Sequence, residues 1–141
     1  MIAIINGPNL NLLGKREPEI YGNESFENFL RDLRSSFPEE PIEYFQSNSE
    51  GEIINHIHKL GFDHPECKGI VINPGAYSHY SYAIADAISS IKLPVVEVHI
   101  SNVMKREDFR HQSVTAPGCK GMLTGFGLKG YTLAVNYILS L

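Results

Sequence analysis

The stretch Gly69-Ile-Val-Ile-Asn-Pro-Gly-Ala-Tyr-Ser-His79, Tyr80-Ser-Tyr-Ala-Ile-Ala-Asp-Ala-Ile-Ser-Ser90, Ile91-Lys-Leu-Pro-Val-Val-Glu-Val98 holds an apolar run, a polar turn, a helical stripe and a second apolar run. Gly69–Ile72 is short and β-branched, and it ends in the turn formers Asn73, Pro74 and Gly75. After Ser78, Ile84, Ala87, Ile88 and Ile91 recur at helical spacing, and Pro94 closes that helix before Val95–Val98 begins. Strand, helix and strand in succession predict a parallel sheet.

The same alternation extends to both sides. Ile2–Ile5 and Ile42–Phe45 precede as strand-like runs, and Met122–Thr124 follows. Behind Ser25, the predicted helix cap, Phe26, Phe29, Leu30, Leu33 and Phe37 form one helical stripe. Ser49 and Glu52 have capping-box spacing ahead of Ile53, Ile54, Ile57 and Leu60, with Gly61 expected to stop that helix. A shorter helical piece is predicted around Met104–Arg110 and a last helix from Tyr131 to Leu139. Strands that read as continuous apolar runs belong to a sheet covered on both faces. The class is therefore α/β, a three-layer sandwich, and the flavodoxin-like strand order 2-1-3-4-5 is the default doubly wound topology.

At 141 residues and 43% hydrophobic, residues 1–141 suffice for one domain and are too few for two. Twelve Lys and Arg against 16 Asp and Glu give a net charge of -4, which argues against a nucleic acid partner held through its phosphates. The opening MIAIINGPNLNLLG lacks the basic start of a secretory signal, and no run approaches the roughly 20 apolar residues of a membrane span. Cys67 and Cys119 have no CxxC spacing, so neither a disulfide framework nor a zinc site is expected. A reducing, cytoplasmic setting follows as the expectation.

In open parallel sheets, ligands bind outside the carboxyl ends of the strands, near the switch between strands 1 and 3. The exits there are Asn6-Gly-Pro-Asn9, Asn73 through His79, and His99-Ile-Ser101-Asn102. Any one of these could be a simple turn; three on one edge, two with histidine, point to a site. Asn6 to Asn23 shows neither helical nor strand period and far exceeds the roughly 4–6 residues of an ordinary connection. It is expected to include a mobile lid at about 14–23, carrying Arg16 and Tyr21 between the hinge candidates Gly14 and Gly22. On a plain surface, Arg16 would instead pair with Glu17 or Glu19.

Other motifs carry no chemistry. Gly125-Phe-Gly-Leu-Lys-Gly130 fits GxGxxG, but the chain ends too soon afterwards for a dinucleotide fold. No phosphate loop or GxSxG occurs. His56 and His58 point to different sides of a helix and are expected on the surface. His79, His99 and His111 lack a carboxylate at ligand spacing, so no metal is proposed.

Taken together, Asn6-Gly-Pro-Asn9-Leu-Asn-Leu-Leu-Gly14-Lys-Arg16-Glu17-Pro18 through Tyr21-Gly22, Ile72-Asn73-Pro-Gly-Ala-Tyr-Ser-His79 with Asp86-Ala87, and Glu97-Val-His99-Ile-Ser-Asn-Val103 with Arg106-Glu107 and Phe109-Arg110-His111 resemble the type II 3-dehydroquinate dehydratases of the shikimate pathway. The resemblance spans nearly the whole chain. It implies a homododecamer, a tetramer of trimers, that dehydrates 3-dehydroquinate to 3-dehydroshikimate through an enolate with no metal or organic cofactor. By the same resemblance Tyr21 is the base, Arg16 the cation that activates it, and Asn9 the holder of a water that steadies the enolate. His99 is the general acid, supported by Glu97. Asn73, His79 and Arg110 bind substrate hydroxyls, the amides of Ile100 and Ser101 take the carboxylate, and Asp86 reaches a neighbouring subunit's site.

Elementary energetics constrains these roles. A phenol ionises near pH 10, so a phenolic base at neutral pH needs about 4 kcal/mol of help. A cation at about 4 Å gives about 1 kcal/mol in bulk water and about 4 kcal/mol at an effective dielectric near 20. Lid closure and base activation are thus expected to be one event. Asp86 lies about 200° around its helix from Ile84 and Ile88, off the core stripe, so only an oligomer gives it a role. The chain departs from the family's usual pattern at Ser78, Tyr80, Ala85 and Met104, and over Val114–Gly121, a region expected to touch no site residue.

The rivals are a flavodoxin-like receiver or flavin module, and an imine-forming dehydratase. A receiver needs an acidic cluster where this chain has Asn6, and a flavin module a hydroxyl-rich loop where it has Gly7-Pro8-Asn9-Leu10. None of the seven lysines falls in a predicted strand, where a desolvated nucleophile is easiest to hold.

Overall fold

Five parallel strands lie in the order β2-β1-β3-β4-β5, as the sequence predicts, in a computed structural model that describes residues 1–141. They are β1 Ile2–Asn6, β2 Ile42–Gln46, β3 Gly69–Asn73, β4 Val95–His99 and β5 Gly121–Thr124. The first four run one residue past their apolar stretches, into Asn6, Gln46, Asn73 and His99. Ladder pairing of Asn6 with both Gln46 and Asn73 explains why, since the backbone gains partners whatever the side chain.

The strand period of two divides the core into two layers. Ile2, Ile4, Val71, Val96 and Val98 face α2 (Phe26–Ser36) and α5 (Lys129–Leu139), meeting Phe26, Leu30, Tyr131 and Val135. Ala3, Ile5, Ile70, Ile72 and Val95 face α3 (Glu50–Asp63) and α4 (Tyr82–Ser90), meeting Ile53, Ile57, Ile84 and Ile88. Serines start three of these helices: Ser25, Ser49 and Ser81 each accept a hydrogen bond from the amide three residues on. No helix is long and apolar enough to cross a membrane.

Four local expectations are revised. The helix around Met104–Arg110 is two separate 3-10 turns, Val103–Lys105 and Asp108–His111, parted by extended backbone at Arg106. The connection from Asn6 to Asn23 contains a 3-10 turn, Leu10–Leu12, and a single helical turn, α1 (Pro18–Tyr21), opened by a proline whose fixed φ suits that position. Gly61 does not stop α3, which continues to Asp63 and ends ahead of His64-Pro65. Gly61 instead permits close approach, because a Cβ there would sit 2.2 Å from Ile91 Cγ2. His56 is not a surface residue: its ring stacks on Phe45 at 4.1 Å and is largely covered.

Candidate active site

The exits of β1, β3 and β4 open on one edge of the sheet and frame a cleft of about 170 Å³. Pro8, Asn9, Asn73, Gly75, His79, His99, Ile100 and Ser101 line it from those exits; Arg16 and Tyr21 come from the long connection, and Arg106 and Arg110 from the turns after β4. Three arginines and no carboxylate line the cleft, although the chain as a whole carries a charge of -4. Such a cavity attracts an anion.

The cleft floor is a fixed polar chain. Asn6 and Asn73 are paired neighbours at the ends of β1 and β3, on the face covered by α5. Tyr131 of α5 donates to Asn6 Oδ1 at 2.7 Å and accepts from Asn73 Nδ2 at 2.9 Å. Burial pushes the ionisation of Tyr131 well above the ordinary phenol range, so it stays a neutral link. Asn73 Oδ1 accepts from the Gly75 amide at 3.1 Å, which locks the amide orientation. Beside it, Asn9 adopts a left-handed conformation (φ 69°) and donates its backbone N–H to Asn48 Oδ1 at 3.0 Å.

On the opposite face of the sheet, Glu97 and His99 stand two residues apart on β4 and point the same way. Glu97 is fully buried and accepts from His99 Nε2 at 3.0 Å. The His79 ring lies roughly parallel to that of His99, 6.4 Å away, and its Nδ1 donates to the Gln112 carbonyl at 2.9 Å. Burial holds His79 below the usual imidazole range, against the opposing pull of that carbonyl. His111 does not join them; its Nε2 meets the Arg106 carbonyl at 3.2 Å.

Tyr21 is held by a residue to which the sequence reading gave no role. Arg106 Nη1 donates to the Tyr21 hydroxyl at 2.9 Å and to Ser101 Oγ at 3.2 Å. Arg16, the cation expected at that oxygen, lies over the ring, 5.7 Å from its centroid, with Nε 3.5 Å from Glu17. The left-handed backbone at Glu17 (φ 41°) turns the chain there and leaves Arg16 beside its neighbour's carboxylate. The Arg106 guanidinium stands 5.4 Å from the same ring centre, so two cations flank one aromatic ring.

Past β4, the amides of Ile100 and Ser101 have no hydrogen-bond partner within the chain, and both residues line the cleft. Free amides just ahead of a helical turn suit an anionic group. Arg110 reaches the cleft while its Nε donates to Glu107. Asp86 is exposed on α4 and is not among the cleft residues of its own chain. Residues Val114–Gly121, expected to avoid the site, do touch it: Thr115 Oγ1 donates to Glu97 Oε1, and Ser113 just ahead donates to Oε2 at 2.7 Å.

Residues 1–139 match the family model described as dehydroquinase class II. The chain belongs to that family. A 3-dehydroquinate dehydratase of Lachnoclostridium phytofermentans is 55% identical over 142 residues, 99% of this chain and 97% of its own length. Another, of Caldicellulosiruptor bescii, is 53% identical over 136 residues, 95% of this chain and 92% of its own. The crystal structure of a type II dehydroquinase from Butyrivibrio crossotus superposes with a TM-score of 0.91 at 51% identity, covering 98% of this chain and 96% of that one. In this class II dehydroquinase, therefore, the cleft at the exits of β1, β3 and β4 is the place to look for the reaction.

Proposed function

We propose that this lyase, which dehydrates 3-dehydroquinate to 3-dehydroshikimate by anti elimination through an enolate, works in the cleft between Tyr21 and His99. The observation that carries this reading is the hydrogen bond from Arg106 to the Tyr21 hydroxyl in a cavity lined by arginines and free of carboxylates. A guanidinium donating to a phenolic oxygen stabilises negative charge there, which makes that oxygen a proton acceptor.

Tyr21 removes a proton beside the ketone. The electron pair moves onto the carbonyl oxygen, and a water held by Asn9 steadies the resulting enolate. When the enolate collapses, the carbon–oxygen bond to the hydroxyl breaks and His99 delivers the proton that lets it depart as water. Glu97 balances the charge of the doubly protonated ring. The Ile100 and Ser101 amides take the substrate carboxylate, and Asn73, His79 and Arg110 bind its hydroxyls. Arg106 takes the place at the phenolic oxygen first given to Arg16, while Arg16 acts on the ring face from the lid, residues 14–23. Apart from that water, every step uses side chains and amides of the chain, with no metal or organic cofactor.

We propose a cytoplasmic homododecamer, a tetramer of trimers, in which Asp86 completes a neighbouring subunit's cleft. Exposed Tyr80, just ahead of α4, and Tyr82, its first residue, supply apolar surface for such a contact. A receiver or flavin module is not favoured, since the β1 exit carries neither an acidic cluster nor a hydroxyl-rich loop.

Ultraviolet absorbance of the conjugated enone, followed after adding 3-dehydroquinate, tests the reaction. Wild type should generate it, and Tyr21→Phe should be slower by about 10² to 10⁴, the span of a lost general base. Silence from wild type overturns the reaction; a wild-type rate for Tyr21→Phe overturns the base.

A further inference from the structure

Glu97 is wholly buried, yet three side chains satisfy it: His99 Nε2 at 3.0 Å and Ser113 Oγ at 2.7 Å on Oε2, with Thr115 Oγ1 on Oε1. Thr115 is itself fully buried. Ser113 Oγ is fixed in turn by accepting from the Ala116 amide at 3.0 Å. The same short strap grips the second imidazole, because the Gln112 carbonyl takes the His79 Nδ1 proton and the Val114 amide donates to the Ser78 carbonyl at 2.7 Å. Four consecutive residues, Gln112 to Thr115, thus support both rings of the cleft from behind.

Proton bookkeeping gives the strap a task. A carbonyl can only accept, so His79 keeps its proton on Nδ1 and leaves Nε2 as an acceptor. A carboxylate also only accepts, so the His99 proton sits on Nε2 and its Nδ1 is the second site. For His99 to release a proton from Nδ1, the ring must hold both protons beside an ionised Glu97. Were Glu97 to take the Nε2 proton, the ring would lose the charge that makes it an acid. We propose that Thr115 and Ser113 are positioning residues for the general acid: their hydroxyls fix the Glu97 carboxylate against His99 Nε2, so that the ring keeps its orientation and its Nδ1 stays free to deliver a proton. This inference rests on the reading of His99 as the acid.

Thr115→Val keeps the shape of the side chain and removes its donor; Thr115→Ser keeps the donor. With 3-dehydroquinate as substrate, Thr115→Val should lose about tenfold in kcat with KM nearly unchanged, Ser113→Ala should show a smaller loss of the same kind, and Thr115→Ser should recover most of the rate. In ¹⁵N spectra of histidine-labelled protein, the Nε2 proton of His99 should become less firmly assigned in Thr115→Val and recover in Thr115→Ser. Should Thr115→Val fail to fold, Ser113→Ala, at a less buried position, carries the test alone. Unchanged kcat in both donor-less variants overturns the proposal, as does a Thr115→Ser variant no better than Thr115→Val, which would make bulk and not the hydroxyl the cause. His99→Asn, assayed alongside, separates the two levels. If it stays active, the acid assignment itself falls; if it is inactive while Thr115→Val turns over normally, only the role of the strap falls.

Discussion

Arg16 and Arg106 flank one aromatic ring, but a hydrogen bond to its oxygen comes from Arg106 alone. A hydrogen bond to a charged donor is worth about 1.5–3 kcal/mol, whereas an exposed cation over a ring is worth about 0.5–1 kcal/mol. Arg106→Ala should therefore lower kcat by about 10-fold to 100-fold and Arg16→Ala by only about 2-fold to 5-fold, measured by enone formation at saturating substrate. Equal losses would mean that closure with substrate exchanges the two arginines. At this scale the sequence was only partly legible. Arg16 and Tyr21 are five residues apart and invite pairing, while Tyr21 and Arg106 are separated by 85 positions and nothing local announces their contact. Thr115 is silent in the sequence for the same reason, since its contact with Glu97 is made by the fold across β4 and the strap.

At the scale of elements, the site depends on β1 and β3 leaving the sheet side by side. Gly7 donates to the Asn73 carbonyl at 2.8 Å, and a Cβ on Gly7 would stand 2.6 Å from the Pro74 carbonyl oxygen. That neighbour is backbone and has no rotamer to swing away. Gly7→Ala should cost about 1–3 kcal/mol, read as a lower urea midpoint, and should weaken substrate binding by spreading the two exits. An unchanged midpoint would show that the exits can separate freely. Strands and helices were legible because their signals are local: β-branched runs, helical stripes and the serine caps are written within single segments. Ends were less so. Gly61 looks like a helix stop in isolation, and its role is visible only once Ile91 is seen against it.

For the whole molecule, acid sensitivity follows from two histidines held below their ordinary range. Burial against Phe45 depresses His56 despite Glu43 Oε1 at 3.3 Å, and burial likewise depresses His79. Below about pH 6.5 the unfolded chain binds protons that the folded one refuses, so stability is full above that pH and declines as pH falls toward the lower native values. Glu40 acts in the same direction at lower pH: held low by Lys68 and the N-terminal amine, it contributes above about pH 4.5 and that contribution is lost only below it. The interval between pH 6.5 and 4.5 thus belongs to the histidines, and His56→Gln should flatten the dependence of the thermal midpoint on pH there. A slope identical to wild type would remove His56 from the account. Fold class was readable at this scale from the sequence of elements, while strand order came only from analogy with the default doubly wound topology; proton linkage was not readable, because it depends on which ring the packing happens to cover.

The connection bearing Tyr21 meets itself at its base. Gly14 adopts φ 85°, and a Cβ on it would lie 3.0 Å from the Asn23 carbonyl oxygen. The residues between are consequently hung from one pinch point, and closing such a ring depends only weakly on how many residues it holds. In engineering terms the segment is a cassette that can be lengthened or shortened above an unaltered sheet; on the proposed reading the base is thus mounted on the most replaceable part of the machine and the acid, on β4, on the least.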